Sequence, residues 1–257
     1  MALKSNHNIR ILKDAAELNA AMAGEIARLS KDAIAQRGIC TLVLSGGSTP
    51  KSLYALMATP AWKDKFDWTN TVLFWGDERC VPPDHADSNY AMVKRELLSK
   101  VPIPGKNIHR MITESGTPEE VAAAYEETVR RETTSADENK AKGTPRFDIV
   151  LLGLGTNGHT ASLFPHTIVL HETARLVAAC YVEEVSSHRI TVTAPLLNNA
   201  KNIFFLVSGA EKAEVLNSVL NGPSQTEKLP AQLIKPSNGS LIWMIDKPAA
   251  RLLPGNS

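Results

Sequence analysis

The chain has 257 residues, of which 43% are hydrophobic and 21% charged, and its formal net charge is +1. That composition is ordinary for a globular protein, and it lacks the basic excess of general polyanion binders, so no nucleic-acid partner is expected. No apolar run approaches the ~20 residues needed to cross a bilayer, and no membrane association is expected.

In chain order, Asp14 followed by Glu17 reads as a helix N-cap with a capping-box partner. Leu18, Met22, Ile26 and Leu29 then recur at helical spacing, and Gly38 closes the helix. Residues 39–44 (ICTLVL) are a β-rich run leading into SGGSTP, with Thr49 read as the N-cap of a second helix and Pro50 at its first position. Residues 71–75 (TVLFW) form another apolar strand, ending in Gly76-Asp77-Glu78-Arg79. Ser88 caps a helix expected to run to Leu98, and Thr117-Pro118-Glu119-Glu120 starts one over 121–132. The polar stretch 134–146 reads as a surface loop. Further strands are expected at 149–152, 176–182, 190–192, 203–207 and 241–245, with a helix near 211–220. This alternation implies an α/β fold: a doubly wound, mainly parallel sheet with helices on both faces, Rossmann-like, in a single domain over 1–257. The opening residues lack the apolar centre of a signal peptide. Cys40, Cys80 and Cys180 are dispersed and odd in number, which fits a reducing compartment, so a cytoplasmic protein is expected.

Open α/β sheets bind ligands at the carboxyl ends of their strands, so the segments that follow each strand carry the functional reading. Ser45-Gly46-Gly47-Ser48-Thr49 offers glycine N–H groups, hydroxyls and a helix N-terminus to an anion. It lacks the GxxxxGK[ST] spacing, so a sugar phosphate suits it better than a nucleotide; the plain alternative is a tight capped turn. In Asp77-Glu78-Arg79 the arginine suits a phosphate and the carboxylate suits proton handling, against the alternative of a solvated turn. Gly153-Leu154-Gly155-Thr156-Asn157-Gly158 matches GxGxxG, and Glu183 imitates the acidic partner of a dinucleotide site. Pro165, however, leaves little room for the helix that such a site needs.

His159 follows those glycines beside Thr160 and Ser162, where a ring with an ordinary pKa near ~6.5 can take a proton from water. Asn157-Gly158 also reads as a simple turn. His159, His166 and His171 form no familiar zinc spacing, so no metal is expected. Cys80 adjoins Arg79, whose charge would lower the thiol's pKa, but no base is placed to support a nucleophile. Cys40 and Cys180 read as core. Arg189, Lys212 and Lys235 sit near element ends, where each is either a phosphate ligand or surface charge.

Taken together, LSGGSTP (44–50), GDERCVPPDHADSN (76–89) and LLGLGTNGHTASLFP (151–165) resemble the 6-phosphogluconolactonase family. So do HRIT (188–191), GAEKAEVL (209–216), LPAQLIKPSNG (229–239) and WMIDKPAA (243–250), so the likeness runs through nearly the whole chain. The wider superfamily includes glucosamine-6-phosphate deaminases and sugar-phosphate isomerases, which typically carry an Asp-Glu-Tyr type stretch where this chain has Asp77-Glu78-Arg79. The resemblance implies hydrolysis of 6-phosphoglucono-δ-lactone, a small sugar-phosphate substrate, without a cofactor. It implies His159 as the general base, with Asp77 assisting orientation or proton handling. Arg79 and Ser45–Thr49 would hold the substrate with Asn157 and Gly158, and Arg189 and Lys212 are phosphate-side candidates. A monomer is compatible with this reading.

One position departs from the family pattern. Asp-Gly-His is usual where this chain has Asn157-Gly158-His159, and an amide cannot stabilise an imidazolium as a carboxylate does. Asn157 is expected to position backbone or substrate, and Asn157→Asp to keep activity within about tenfold. Three rival readings stand beside the lactonase: an amino-sugar phosphate isomerase or deaminase, an NAD(P)-binding oxidoreductase resting on Gly153–Gly158, and a non-catalytic sugar-phosphate sensor.

Overall fold

The computed structural model describes residues 8–134 and 144–255, so most of the expected loop at 134–146 lies outside the described residues. The chain begins with strand β1 (Asn8–Leu12), helix α1 (Ala15–Arg37) and strand β2 (Cys40–Leu44). Asp14 caps α1 by accepting from Glu17 N at 2.9 Å, and Gly38 ends it in the left-handed conformation at φ 81°. Helices α2 (Ser48–Met57) and α3 (Pro60–Lys63) lead to β3 (Thr71–Trp75) and the short β4 (Asp77–Arg79). Next come α4 (Asn89–Val93), which runs on as a wider π-helical turn to Leu98, then β5 (Ile108–His109), α5 (Pro118–Thr134) and β6 (Ile149–Gly153). The last third holds β7 (Val177–Val182), β8 (Ser187–Val192), α6 (Ala194–Asn198) and β9 (Asn202–Val207). It ends with α7 (Ala213–Asn221), β10 (Ser240–Asp246) and α8 (Lys247–Ala250).

Seven strands form one sheet in the order β1-β10-β9-β6-β2-β3-β5, and every pairing in it is parallel. Both faces are covered. Leu42, Leu44, Leu73, Trp75, Ile149 and Leu151 point into a core closed by α1, α2 and α4, while Val43, Val72, Phe74, Val150 and Leu152 point into one closed by α5, α6 and α7. Alternation with two apolar faces explains why these strands read as continuous hydrophobic runs. No helix among the described residues is long and apolar enough to cross a membrane.

The doubly wound expectation holds, with additions. β1 and β5 were not foreseen. A separate antiparallel sheet, ordered β4-β8-β7, takes up the two strands expected at 176–182 and 190–192, and adds β4, which had been read as the charged end of the 71–75 strand. Past Gly76 the chain of β3 changes partner and pairs with β8, so Asp77 faces Thr191 and Arg79 faces Arg189 across the ladder. The start of α2 also differs. Gly47, at φ 101°, turns the chain early enough for the helix to begin at Ser48, and Thr49 is inside its first turn rather than its cap.

Candidate active site

The order of the main sheet reverses between β2 and β6. From β2 the chain proceeds to β3 and β5 on one side, and from β6 to β9 and β10 on the other. Loops leaving two such neighbours diverge and open a crevice at their carboxyl ends. A cleft of about 270 Å³ lies there, and it is lined from four strand ends: Ser45–Pro50 after β2, Asp77 and Arg79 after β3, Gly153–Thr156 with His159 after β6, and Ser208 with Lys212 after β9.

The first wall is the glycine turn at the N-terminus of α2. No side chain caps this helix and no acidic residue lies in its first turn, so its leading N–H groups and positive dipole end face the cleft. Tyr54 braces the turn from behind, its hydroxyl donating to Ser45 O and accepting from Ser45 N, both at 2.9 Å. Gly46 has no room for a side chain, since a Cβ there would fall 2.1 Å from Asn89 Oδ1.

The second wall holds a buried carboxylate. Asp77 accepts from Ser162 Oγ at 2.7 Å and from Asn89 Nδ2 at 3.3 Å. Its neighbour Glu78 points away from the cleft and accepts from the backbone N–H groups of Arg79, Asn89 and Tyr90 and from Ser88 Oγ, at 2.7–3.1 Å. Arg79 bonds the carbonyl of Asp87, leaving its buried Nε with no protein partner. Arg189, opposite it in the ladder, likewise has an unpartnered Nε. Burial and the adjacent Arg79 charge lower the proton affinity of Arg189. Two like charges face to face are unfavourable in a sheet unless an anion joins them.

The third wall is His159. One face of its ring stacks on Phe164, 3.9 Å between centroids and 14° from parallel. Its Nδ1 also lies where a Cβ on Gly155 would be, 2.1 Å away, so only glycine admits the ring. Nδ1 is 2.6 Å from Asn157 Oδ1, which also accepts from His159 N at 3.1 Å. The Asn157 amide is fixed in this sense because its Nδ2 donates to Glu184 Oε2 at 2.7 Å. Nδ1 therefore carries the proton, and Nε2, with no bond from any described protein group, keeps its lone pair. Burial, then the charges of Lys212, Arg189 and Arg79, push the imidazole down to about 4. It is neutral at pH 7 and able to accept a proton.

This arrangement brings a neutral imidazole, a cationic rim and an uncapped helix N-terminus into one cleft. Among the described residues no three His, Cys, Asp or Glu side chains cluster to hold a metal. A sequence profile described as "Glucosamine-6-phosphate isomerases/6-phosphogluconolactonase" matches residues 13–243.

The chain belongs to this family.

Within the family the similarity is to the lactonases. A 6-phosphogluconolactonase of Synechocystis sp. is 42% identical over 226 residues, covering 88% of this chain and 89% of its own. Another, from Nostoc sp., is 39% identical over 242 residues, covering 94% and 96%. The solved 6-phosphogluconolactonase from Trypanosoma cruzi matches with a TM-score of 0.83 at 28% identity, covering 99% of this chain and 98% of that one.

Of the residues anticipated from sequence, Ser45, Gly46, Gly47, Ser48, Thr49, Asp77, Arg79, His159 and Lys212 line the cleft of this family member. Asn157, Gly158 and Arg189 do not; Asn157 holds the His159 ring from behind and Arg189 stands opposite Arg79. Lys235 lies elsewhere, beside Pro236 and Trp243. The GxGxxG segment ends in a turn and an isolated bridge between Thr160 and Leu163, with no helix after Gly158 to receive a pyrophosphate. For Cys80 the expected lowering by Arg79 is not what prevails: burial pushes the thiol up to about 11, against the lowering charge of Arg189. Asn89, Ser162, Phe164 and Glu184 were missed. Asn89 and Ser162 belong to the motif segments, but only the fold shows that both grip Asp77.

Proposed function

We propose that this chain hydrolyses 6-phosphoglucono-δ-lactone to 6-phosphogluconate, the lactone-opening step of the oxidative pentose phosphate pathway, with His159 as general base. The observation that carries the reading is the setting of His159: it lines the cleft, is tethered through Nδ1, and is kept neutral by burial and the nearby cations. Relatives named 6-phosphogluconolactonase at 42% and 39% identity support the substrate.

In this mechanism Lys212 and Arg79, with Arg189 behind, hold the phosphate end, and the Ser45–Thr49 turn supports the sugar acid. Nε2 takes a proton from water as the water oxygen bonds the lactone carbonyl carbon. The resulting oxyanion collapses, the ring C–O bond breaks, and the leaving ring oxygen receives the proton from Nε2. The imidazole returns to its neutral form and the product carboxylate releases one proton to solvent. Asp77, already bonded by Ser162 and Asn89, orients this wall of the site. A δ-lactone is an activated ester, so one base, a placed water and N–H donors suffice without a cofactor.

The test of reaction class uses lactone generated in situ, followed by NMR, with glucosamine-6-phosphate as the competing substrate. Lactone opening above the uncatalysed rate with no ammonia from the amino sugar is expected. Ammonia release, or saturable binding of 6-phosphogluconate without any turnover of lactone, would replace the reading with the deaminase or the sensor.

A further inference from the structure

Among the contacts between the segment that presents His159 and the β7–β8 hairpin, one involves a carboxylate, that of Glu184. Glu184 sits in the short helical turn that joins β7 to β8, a turn closed by Ser186 in the left-handed conformation at φ 44°. Its carboxylate crosses to the loop after β6 and accepts from Asn157 Nδ2 at 2.7 Å. The same amide presents Oδ1 to the Nδ1 of His159 at 2.6 Å. Three side chains thus stand in series: carboxylate, amide, imidazole.

The order of atoms matters more than the contact itself. An amide is directional, with an acceptor at one end and donors at the other. Turned over, Asn157 would aim its NH₂ at His159 Nδ1 and at the backbone N–H of His159, which Oδ1 now satisfies at 3.1 Å. Two donors would then meet the NH₂; the ring could relieve its own clash by moving its proton to Nε2, the nitrogen required as acceptor, but the backbone N–H would stay unpaired. Glu184 makes this reversal costly, because its carboxylate can only accept. A carboxylate at position 157 would need no such partner, since both of its oxygens accept.

We propose that Glu184 is a positioning residue of the active site, locking the Asn157 amide in the orientation that keeps the proton of His159 on Nδ1. This rests on the reading of His159 as the base. It makes a residue outside the cleft, 27 positions away from Asn157, part of the device that fixes the tautomer.

Substitution of Glu184 in the natural chain and in an Asn157→Asp background tests this, with kinetics and ¹⁵N NMR of histidine-labelled protein read together. Glu184→Ala is expected to lower kcat about fivefold with KM little changed, the scale of losing one charge-assisted hydrogen bond at an exposed site. It is also expected to shift His159 toward a mixture of tautomers. Glu184→Gln, which keeps an acceptor oxygen, loses less. In the Asn157→Asp background Glu184→Ala is expected to bring no loss or a small gain, because the introduced carboxylate has no orientation to lose and is relieved of an adjacent like charge. An unchanged tautomer and unchanged kcat in Glu184→Ala would overturn the proposal, and so would an equal loss in both backgrounds, which marks a merely structural hairpin contact. The tautomer measurement needs no substrate. A shifted tautomer with a His159→Ala variant of full activity would therefore sink the base assignment while leaving the lock in place.

Discussion

His159 owes its chemistry to its surroundings rather than to its own pKa. Burial lowers its proton affinity first, and Lys212, Arg189 and Arg79 lower it further, to about 4. With the folded value below the ordinary one, the ring stays neutral as the pH falls through the usual histidine range and charges only near 4. Replacing Lys212 by Met removes the largest of the charge effects, so an NMR titration of His159 in that variant is expected to show its midpoint moved upward. An unmoved midpoint would mean that the Lys212 charge does not reach the ring. Under the proposed function, a phosphate dianion held by the same cations would offset their charge and raise the proton affinity of His159 when substrate is present. Much of this was legible in sequence. GHTASLFP pointed to His159, and DER after a strand pointed to Asp77 and Arg79. What stayed hidden were contacts across sequence distance. Asn157 read as a turn residue or substrate ligand because Glu184, which decides its orientation, lies on another element.

At the scale of elements, Glu78 shows how the cleft is held in shape. Adjacent to Asp77 but pointing the other way, it gathers four donors, among them the N–H groups that open α4. A carboxylate there also suits the dipole of that helix. Glu78→Ala would leave those N–H groups buried and unpaired and is expected to destabilise the fold by about 3 kcal/mol. Urea unfolding measures this, and a loss below about 1 kcal/mol would show that the loop repacks around the gap. Activity should fall as well, because Arg79 and Asn89 both hang on this anchor. The sequence showed three charges in a row without indicating that one faces the core. Alternation of strand and helix likewise revealed the parallel sheet but not the β4-β8-β7 sheet, because local periodicity carries no pairing partner. Thr49 was a better cap than Gly47 on propensity, yet the uncapped start at Ser48 is what leaves N–H groups free for an anion.

For the whole molecule, the site exists because the sheet reverses its order between β2 and β6, and Asp148 fastens that junction. Just ahead of β6, its carboxylate bonds Arg37 at the end of α1, Thr41 N and Oγ1 on β2 at 2.9 and 3.0 Å, and Lys201 before β9 at 3.1 Å. Although burial acts to raise the carboxyl's pKa, Arg37, Thr41 and Lys201 together hold it below the ordinary aspartate range. With the folded value depressed, this stabilisation is complete above the unfolded aspartate pKa near ~4 and is lost as the pH falls through the folded value. Asp148→Asn is expected to cost about 3 kcal/mol at neutral pH and progressively less under acid. Chemical denaturation at pH 7 and pH 3 would check both, and a cost independent of pH would argue against the charge as its source.

The cleft, the tautomer and the cationic rim all bear on one assignment, His159 as the base. Lactone hydrolysis by the natural chain and by His159→Ala decides it, with the lactone generated in situ and the uncatalysed rate subtracted. The acceleration is expected to fall by at least about 10²-fold in the variant while 6-phosphogluconate still binds. Acceleration that survives within a few-fold would contradict the assignment and move the proton transfer to another group in the cleft, Asp77 first.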